Sequence, residues 1–129
     1  MPTNPRRDDQ GPGEPAEARV VVFLSRGDDA AVRLAGSCAL ASVAMGRRVD
    51  VFLLGDGVRA VLDARDEPDA PGHRIHQARA GGACRLFACS ESLLGAGVEP
   101  REAEGALDAV VGWPTILEWT RGVADRHSF

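Results

Sequence analysis

Residues 19–54, RVVVFLSRGDDAAVRLAGSCALASVAMGRRVDVFLL, decide the fold. They contain two apolar runs, RVVVFLS and VDVFLL, which are typical of strands buried on both faces of a parallel sheet. The segment between the runs is rich in alanine and leucine. Asp28 or Asp29 can cap it and Gly46 suits a left-handed stop, so it is predicted to be a helix. The stretch therefore predicts a strand, helix and strand crossover unit.

The same alternation continues along the chain. Further strands are predicted at 84–88, 106–111 and 126–129, and helices at 58–64, 73–80, 90–96 and from Pro114 onwards. The last helix has Ile116, Trp119 and Val123 on one face. Alternating strands and helices predict a three-layer α/β/α domain over 19–129, of the flavodoxin-like or Rossmann-like kind. Its sheet is expected to have four to five strands and to be mostly parallel.

The first 18 residues differ from the rest in composition. They are rich in proline, glycine and charged residues and hold almost nothing apolar. Such a segment cannot bury enough surface to offset the entropy of ordering. Residues 1–18 are therefore predicted to be a disordered tail, and the chain of 129 residues to hold one domain.

Composition excludes several classes of protein. No apolar stretch reaches the roughly 18 residues of a membrane span, and no hydrophobic leader is present, so we expect a cytoplasmic protein without membrane contact. The net charge is −4 and basic runs stop at pairs such as Arg47-Arg48, which disfavours nucleic-acid binding. All 15 basic residues are arginine and tyrosine is absent, which excludes a Schiff-base or P-loop lysine and a phenolic acid.

Three cysteines, Cys38, Cys84 and Cys89, form no CxxC pair, which argues against a disulfide framework or a four-cysteine zinc site. Cys89 follows the third strand and precedes a helix, whose positive end and free N–H groups would favour the thiolate. The alternative is a small apolar residue buried at a strand end. Cys84 begins the same strand and Cys38 lies within the first helix, so both are interpreted as packing residues.

In an open parallel sheet, ligands gather at the carboxyl ends of the strands. The helix at 73–80 should start at that edge, which would bring His73 and His76 towards Cys89. The other candidates for this binding edge follow strands directly: Ser25, Gly55, Asp56, Ser90, Glu91, Ser92, Trp113, Pro114 and Thr115.

Most of these candidates also have simple structural interpretations. His73 and His76 are spaced for one metal, but no third ligand is evident and no metal site is predicted. Asp56 would repel phosphate and no GxGxxG follows the first strand, so no nucleotide or other cofactor is predicted. Trp113 either packs over the thiol or fastens the last helix to the sheet.

The order of these features resembles the DsrE/DsrF/TusD-like sulfur-relay family. The likeness rests on the 19–54 stretch continued to FLLGDGV, then CRLFACSESLLGAGV, then ALDAVVGWPTILEWTRGVADRHSF. It implies a small α/β subunit that assembles into trimers or hexamers and carries sulfur as a persulfide on the cysteine closing the third strand, here Cys89. Many members have a second cysteine three residues later, where this chain has Ser92.

Two functions follow from these observations. The first is a sulfur carrier that uses Cys89, without a cofactor, between donor and acceptor proteins. The alternative is a non-catalytic binding or assembly module of the same fold. In either case a homo-oligomer is expected, since the first helix has few polar side chains and is apolar over more of its surface than one sheet face can cover.

Overall fold

The computed structural model describes residues 18–129. The predicted disordered tail therefore lies outside the described residues, apart from Ala18. The elements in chain order are β1 (Arg19–Leu24), α1 (Asp29–Ala44), β2 (Arg48–Leu53), α2 (Gly57–Leu62), α3 (His73–Ala80), β3 (Cys84–Cys89), α4 (Ser90–Gly95), α5 (Pro100–Ala103), β4 (Ala109–Val111), α6 (Trp113–Trp119) and β5 (Arg126–Ser128).

The five strands form one all-parallel sheet in the order β4-β3-β2-β1-β5. This confirms the predicted three-layer α/β/α class, including the short closing strand. The residues predicted to begin and end α1 also have the predicted roles. Asp28 is the cap, with its carboxylate accepting a hydrogen bond from the Ala31 N–H, and Gly46 adopts a left-handed φ of 82°.

The fourth strand is shorter than predicted. It spans Ala109–Val111, whereas the sequence suggested 106–111. The N–H groups of Ala106 and Leu107 both bond to the carbonyl of Ala103, so these two residues belong to the preceding turn. Asp108 then joins β3, donating its N–H to the Leu86 carbonyl and accepting the Leu86 N–H on its carboxylate.

Helices cover the two faces of the sheet unequally. Buried side chains of α1 to α4 pack on one face, whereas α6 packs on the other. The handedness of the crossovers explains this: the connections from β1 to β4 all step the same way across the sheet, and the return from β4 to β5 steps the opposite way. Right-handed crossovers then place α6 opposite the other helices. We call the side of the sheet that α1 to α4 cover the α1 face, and the side that α6 covers the α6 face.

The exposure of α1 modifies the argument for an oligomer. Its flank packs on α3, where Gly36 allows close approach to Arg74 and the Arg74 guanidinium donates to the Ser37 hydroxyl at 2.6 Å. Part of the excess apolar surface is thus covered within the chain. Leu34 and Met45 stay 57% and 74% exposed, so self-association remains a prediction supported by a narrower apolar surface.

A side chain at Gly57, at the start of α2, is expected to destabilise the fold. A Cβ there would collide with the backbone carbonyl of Leu24, which ends β1. We therefore expect Gly57→Ala to lower the free energy of unfolding by about 1–3 kcal/mol, as overpacking does. Gly81→Ala is the matched control, because Gly81 has φ −83° and open space around its Cβ position. Urea denaturation of both variants measures the difference, and equal midpoints would contradict the expectation.

Candidate functional site

Cys89 lies where β3 meets α4. It is the last residue of the strand, is aligned with Val111 of the neighbouring β4, and caps α4 with extended backbone angles of φ −70° and ψ 129°. This confirms the predicted junction between strand and helix. The residue is only 1% exposed, so the thiol lies within the protein and away from bulk solvent.

The surroundings of Cys89 are apolar. Side chains alternate along β3, so Cys89 shares the α6 face with Phe87, while Cys84, Leu86 and Ala88 face α1. The buried cluster on the α6 face consists of Val21, Phe52, Phe87, Cys89, Val111, Ile116, Trp119 and Val123. As predicted, Ile116 and Trp119 of α6 belong to it, and so does Val123, although α6 ends at Trp119 and Val123 lies beyond the helix. This lining shields the thiol from bulk water.

The other two cysteines have environments that disfavour the thiolate. Burial raises the pKa of the Cys84 thiol to about 12, and the carboxylates of Asp50 and Asp108 add to the effect. Burial also raises the pKa of Cys38, which is half-buried in α1. Both thiols are therefore protonated at neutral pH, in line with their interpretation as packing residues.

The loops at the carboxyl ends of the strands converge as expected. The Gly55 N–H donates to the Ser92 hydroxyl at 2.8 Å, which ties the turn after β2 to α4. Ser25 donates its N–H to the Phe129 carbonyl at 2.9 Å. Asp56 lies against Gly27, where a Cβ would come 3.0 Å from the Asp56 carbonyl oxygen. The loop after β1, the turn after β2 and the first turn of α4 are therefore held at this edge by contacts with one another or with the C-terminal residue.

The remaining edge candidates are exposed to different degrees. Ser90 and Glu91 lie in the first turn of α4 and are exposed, and so are Trp113 and Pro114 in the first turn of α6. Thr115 is half-buried. An open cleft of about 390 Å³ lies beside this edge and is lined by Gly27, Gly55, Asp56, Arg59, Ala60, Asp63 and Ala96. The charged side chains in its lining are two carboxylates, Asp56 and Asp63, and the guanidinium of Arg59.

His73 and His76 lie across the sheet from the Cys89 side chain. They lie on α3, which packs on the α1 face, whereas the Cys89 side chain is on the α6 face. His73 Nδ1 donates to the Ala64 carbonyl at 3.0 Å and His76 Nε2 to the Val61 carbonyl at 2.7 Å, so both rings fasten α3 to the end of α2 and the loop beyond. Within residues 18–129, no group of three or more His, Cys, Asp or Glu side chains could hold a metal ion.

His76 should make the protein less stable in acid. Burial lowers the pKa of His76, and the positive charges of His73, Arg65 and Arg79 add to this, while the Val61 carbonyl opposes it. A depressed folded-state pKa means that protonation favours unfolding, so His76 stabilises the fold above the unfolded pKa, near 6.5. This contribution is lost as pH falls through the lower folded-state pKa.

We therefore expect the free energy of unfolding to fall between about pH 7 and pH 5, and to fall less in His76→Gln. Glutamine keeps an N–H donor for the Val61 carbonyl but does not titrate. Urea denaturation across this range measures both slopes. Identical slopes in the two proteins would exclude His76 as the source.

A buried charged cluster adjoins the apolar cluster on the α6 face and was not predicted. The Asp50 carboxylate is 2% exposed and lies between Arg19, at 2.7 Å, and Arg85, at 3.2 Å. The Arg85 guanidinium also lies 4.9 Å above the Phe87 ring and 5.8 Å from the Trp119 ring. The available signal was a charge inside each of two apolar runs, Asp50 in VDVFLL and Arg85 in CRLFAC.

The comparisons with known proteins agree with this architecture. The profile of the DsrE/DsrF-like family matches residues 18–126. This chain belongs to the DsrE/DsrF-like family. The match extends from the residue before β1 to the first residue of β5, so it includes the Cys89 junction and α6. A search of the curated proteins returned no match. Among the helices of residues 18–129, none is long and apolar enough to cross a membrane.

Proposed function

We propose that this DsrE-like protein is a sulfur carrier or sulfur-transfer subunit, with Cys89 as the sulfur-bearing residue. The proposal rests on one observation above all: of the three cysteines, Cys89 is the one at the carboxyl edge of the sheet and at a helix start. Sulfur-relay chemistry is also what the family resemblance implies for a cysteine at this position. The donor and acceptor would be proteins that carry persulfides or thiols.

The proposed reaction is a thiol exchange that requires no cofactor. The Cys89 thiolate attacks the outer sulfur of a donor persulfide, R–S–SH, so that a new sulfur–sulfur bond forms and the donor bond breaks. The donor leaves as its thiolate, R–S⁻, and the protein holds Cys89–S–SH. An acceptor thiolate then attacks the outer sulfur, and Cys89 leaves as a thiolate. Each step moves one sulfur atom without net oxidation.

Ser92 shapes this chemistry. A cysteine at this position, as in many members of the family, could resolve the persulfide into an internal disulfide. Ser92 cannot, and its hydroxyl is occupied in accepting the Gly55 N–H. A persulfide on Cys89 would therefore persist until an external thiol takes the sulfur.

The burial of Cys89 favours a second candidate function. A thiol that is 1% exposed is also what a non-catalytic binding or assembly module would contain, with the cysteine filling space in an apolar cluster. The two candidates differ in whether Cys89 accepts sulfur.

The deciding experiment is to incubate the purified protein with glutathione persulfide and to map added sulfur by mass spectrometry of its tryptic peptides. The sulfur-carrier proposal expects one added sulfur atom on the peptide containing Cys89, removable by dithiothreitol. A Cys89 peptide that gains no sulfur under conditions that load a model thiol would favour the assembly module.

We further expect the protein to be a homo-oligomer, a trimer or hexamer by the family resemblance. Among the described residues, the exposed large apolar side chains available for such contacts are Leu34 on α1, Met45 directly after it, Leu94 on α4, Val110 on β4, and Trp113 and Leu117 on α6. Sedimentation equilibrium at micromolar concentration measures the mass. A value near the 13.6 kDa of one chain throughout the range would contradict the expectation.

A further inference from the structure

We infer that α6 is a gate over Cys89: the thiol becomes reachable when α6 detaches locally from the sheet, while the α1 face stays folded. The inference rests on the proposed function, because sulfur transfer is the reason that Cys89 would have to become accessible. It starts from a conflict between burial and chemistry, because a thiol that is 1% exposed, in a buried cluster that includes Ile116 and Trp119 of α6, cannot meet a persulfide in the closed structure. Some part of its cover must move.

The cover on the α6 face is slight. Among the helices of residues 18–129, α6 alone packs on this face, and it has seven residues. Its cap residue, Gly112, offers no side chain to the free N–H groups of the first turn. Trp113 and Leu117 point away from the sheet and are 43% and 62% exposed. Segments with few buried apolar contacts open at lower free energy than the core of a domain.

An unpartnered polar atom favours opening. The indole Nε1 of Trp119 is buried and has no hydrogen-bond partner. A buried N–H without an acceptor carries a desolvation cost that contact with water removes. Detachment of α6 removes this cost and so partly offsets the loss of the Trp119 ring contacts with Phe87 and Arg85.

The α1 face provides an internal reference. Cys84 is 2% exposed, nearly as buried as Cys89, but faces the cluster built by α1, α2 and α3. Detachment of α6 would expose Cys89 and leave Cys84 covered. Global unfolding would expose both.

The test is the rate of alkylation by iodoacetamide at neutral pH without denaturant, measured separately for each cysteine. Trypsin cleavage at Arg79, Arg85 and Arg101 places Cys84 and Cys89 in different peptides. Two matched truncations are compared, Ile116→Ala in α6 and Ile75→Ala in α3, because both side chains are fully buried on opposite faces. A third variant, Gly112→Ser, adds a cap at a position where a Cβ makes only an ordinary contact, 3.7 Å from Pro114 Cδ.

We expect Ile116→Ala to accelerate labelling of Cys89 by about tenfold or more, with a much smaller change at Cys84. Ile75→Ala should not accelerate Cys89 selectively. Gly112→Ser should slow Cys89 by about threefold, through the added cap and the loss of glycine entropy in the unfolded segment.

Two results would overturn the gate. Equal acceleration of Cys84 and Cys89 in Ile116→Ala would mean that labelling follows global unfolding. A Cys89 rate that is the same in the wild type and in Gly112→Ser and Ile116→Ala would mean that the thiol is reached without movement of α6. Failure of the proposed function gives a different result: gated alkylation would persist, but glutathione persulfide would add no sulfur to Cys89.

Discussion

Cys89→Ser is expected to abolish sulfur loading from glutathione persulfide. The hydroxyl is a far weaker nucleophile than a thiolate, and the pKa of Cys84, about 12, leaves that thiol unable to substitute at neutral pH. Cys84→Ser is the matched control, since it removes an equally buried thiol from the opposite face and should load as the wild type does. Mass spectrometry of both variants after the same incubation makes the comparison.

The control for folding is important at this position. Serine places a hydroxyl among the apolar side chains of the α6 face. If the hydroxyl has no hydrogen-bond partner there, the free energy of unfolding falls by about 1–3 kcal/mol. Cys89→Ala avoids this cost, and circular dichroism should show both variants to be folded. Loading that survives in Cys89→Ser and Cys89→Ala would assign the chemistry to Cys84 or Cys38 and would contradict the proposed function.

Asp50→Asn is expected to be the most destabilising single substitution considered for this protein. The carboxylate is buried between Arg19 and Arg85, so its neutralisation leaves two guanidinium groups without their shared counter-charge. Removing one partner from a buried ion pair costs about 3–5 kcal/mol. Urea denaturation should therefore show a large decrease in the unfolding midpoint.

Asp63→Asn provides the comparison for Asp50→Asn. Asp63 also pairs with an arginine, Arg59 at 3.3 Å, but its side chain is 65% exposed. Exposed ion pairs are screened by solvent and contribute little. We expect Asp63→Asn to unfold almost as the wild type does, and equal midpoints for Asp50→Asn and Asp63→Asn would contradict the importance of burial.

Much of the fold could be predicted from the sequence because its strongest signals are local. The apolar runs of β1 and β2, the Asp28 cap and the Gly46 stop each depend on residues close in the chain. The position of Cys89 between β3 and α4 follows from the same kind of pattern. Its role in sulfur transfer stays a prediction, which the loading experiments address.

Features that depend on distant contacts could not be predicted in this way. The alternation along β3 places Cys84 and Cys89 on opposite faces, but which face α3 covers depends on the order of the strands and the handedness of the crossovers. For this reason the sequence alone could not show that His73 and His76 lie on the opposite face of the sheet from the Cys89 side chain. Likewise, a charge within an apolar run does not identify its partner: Arg19 precedes Asp50 by 31 residues, and Arg85 follows it by 35.

The same carboxylate also limits how the central strands can align. Asp50 lies opposite Val21 of β1 and Arg85 of β3, so one side chain connects three adjacent strands. If β2 shifted by one residue, Asp50 would turn to the α1 face, among valines and leucines. A shift by two residues would keep the face but separate the carboxylate from its arginines. Both misalignments would bury an unpaired charge, so Asp50 selects a single register for a sheet whose apolar side chains alone would discriminate less sharply.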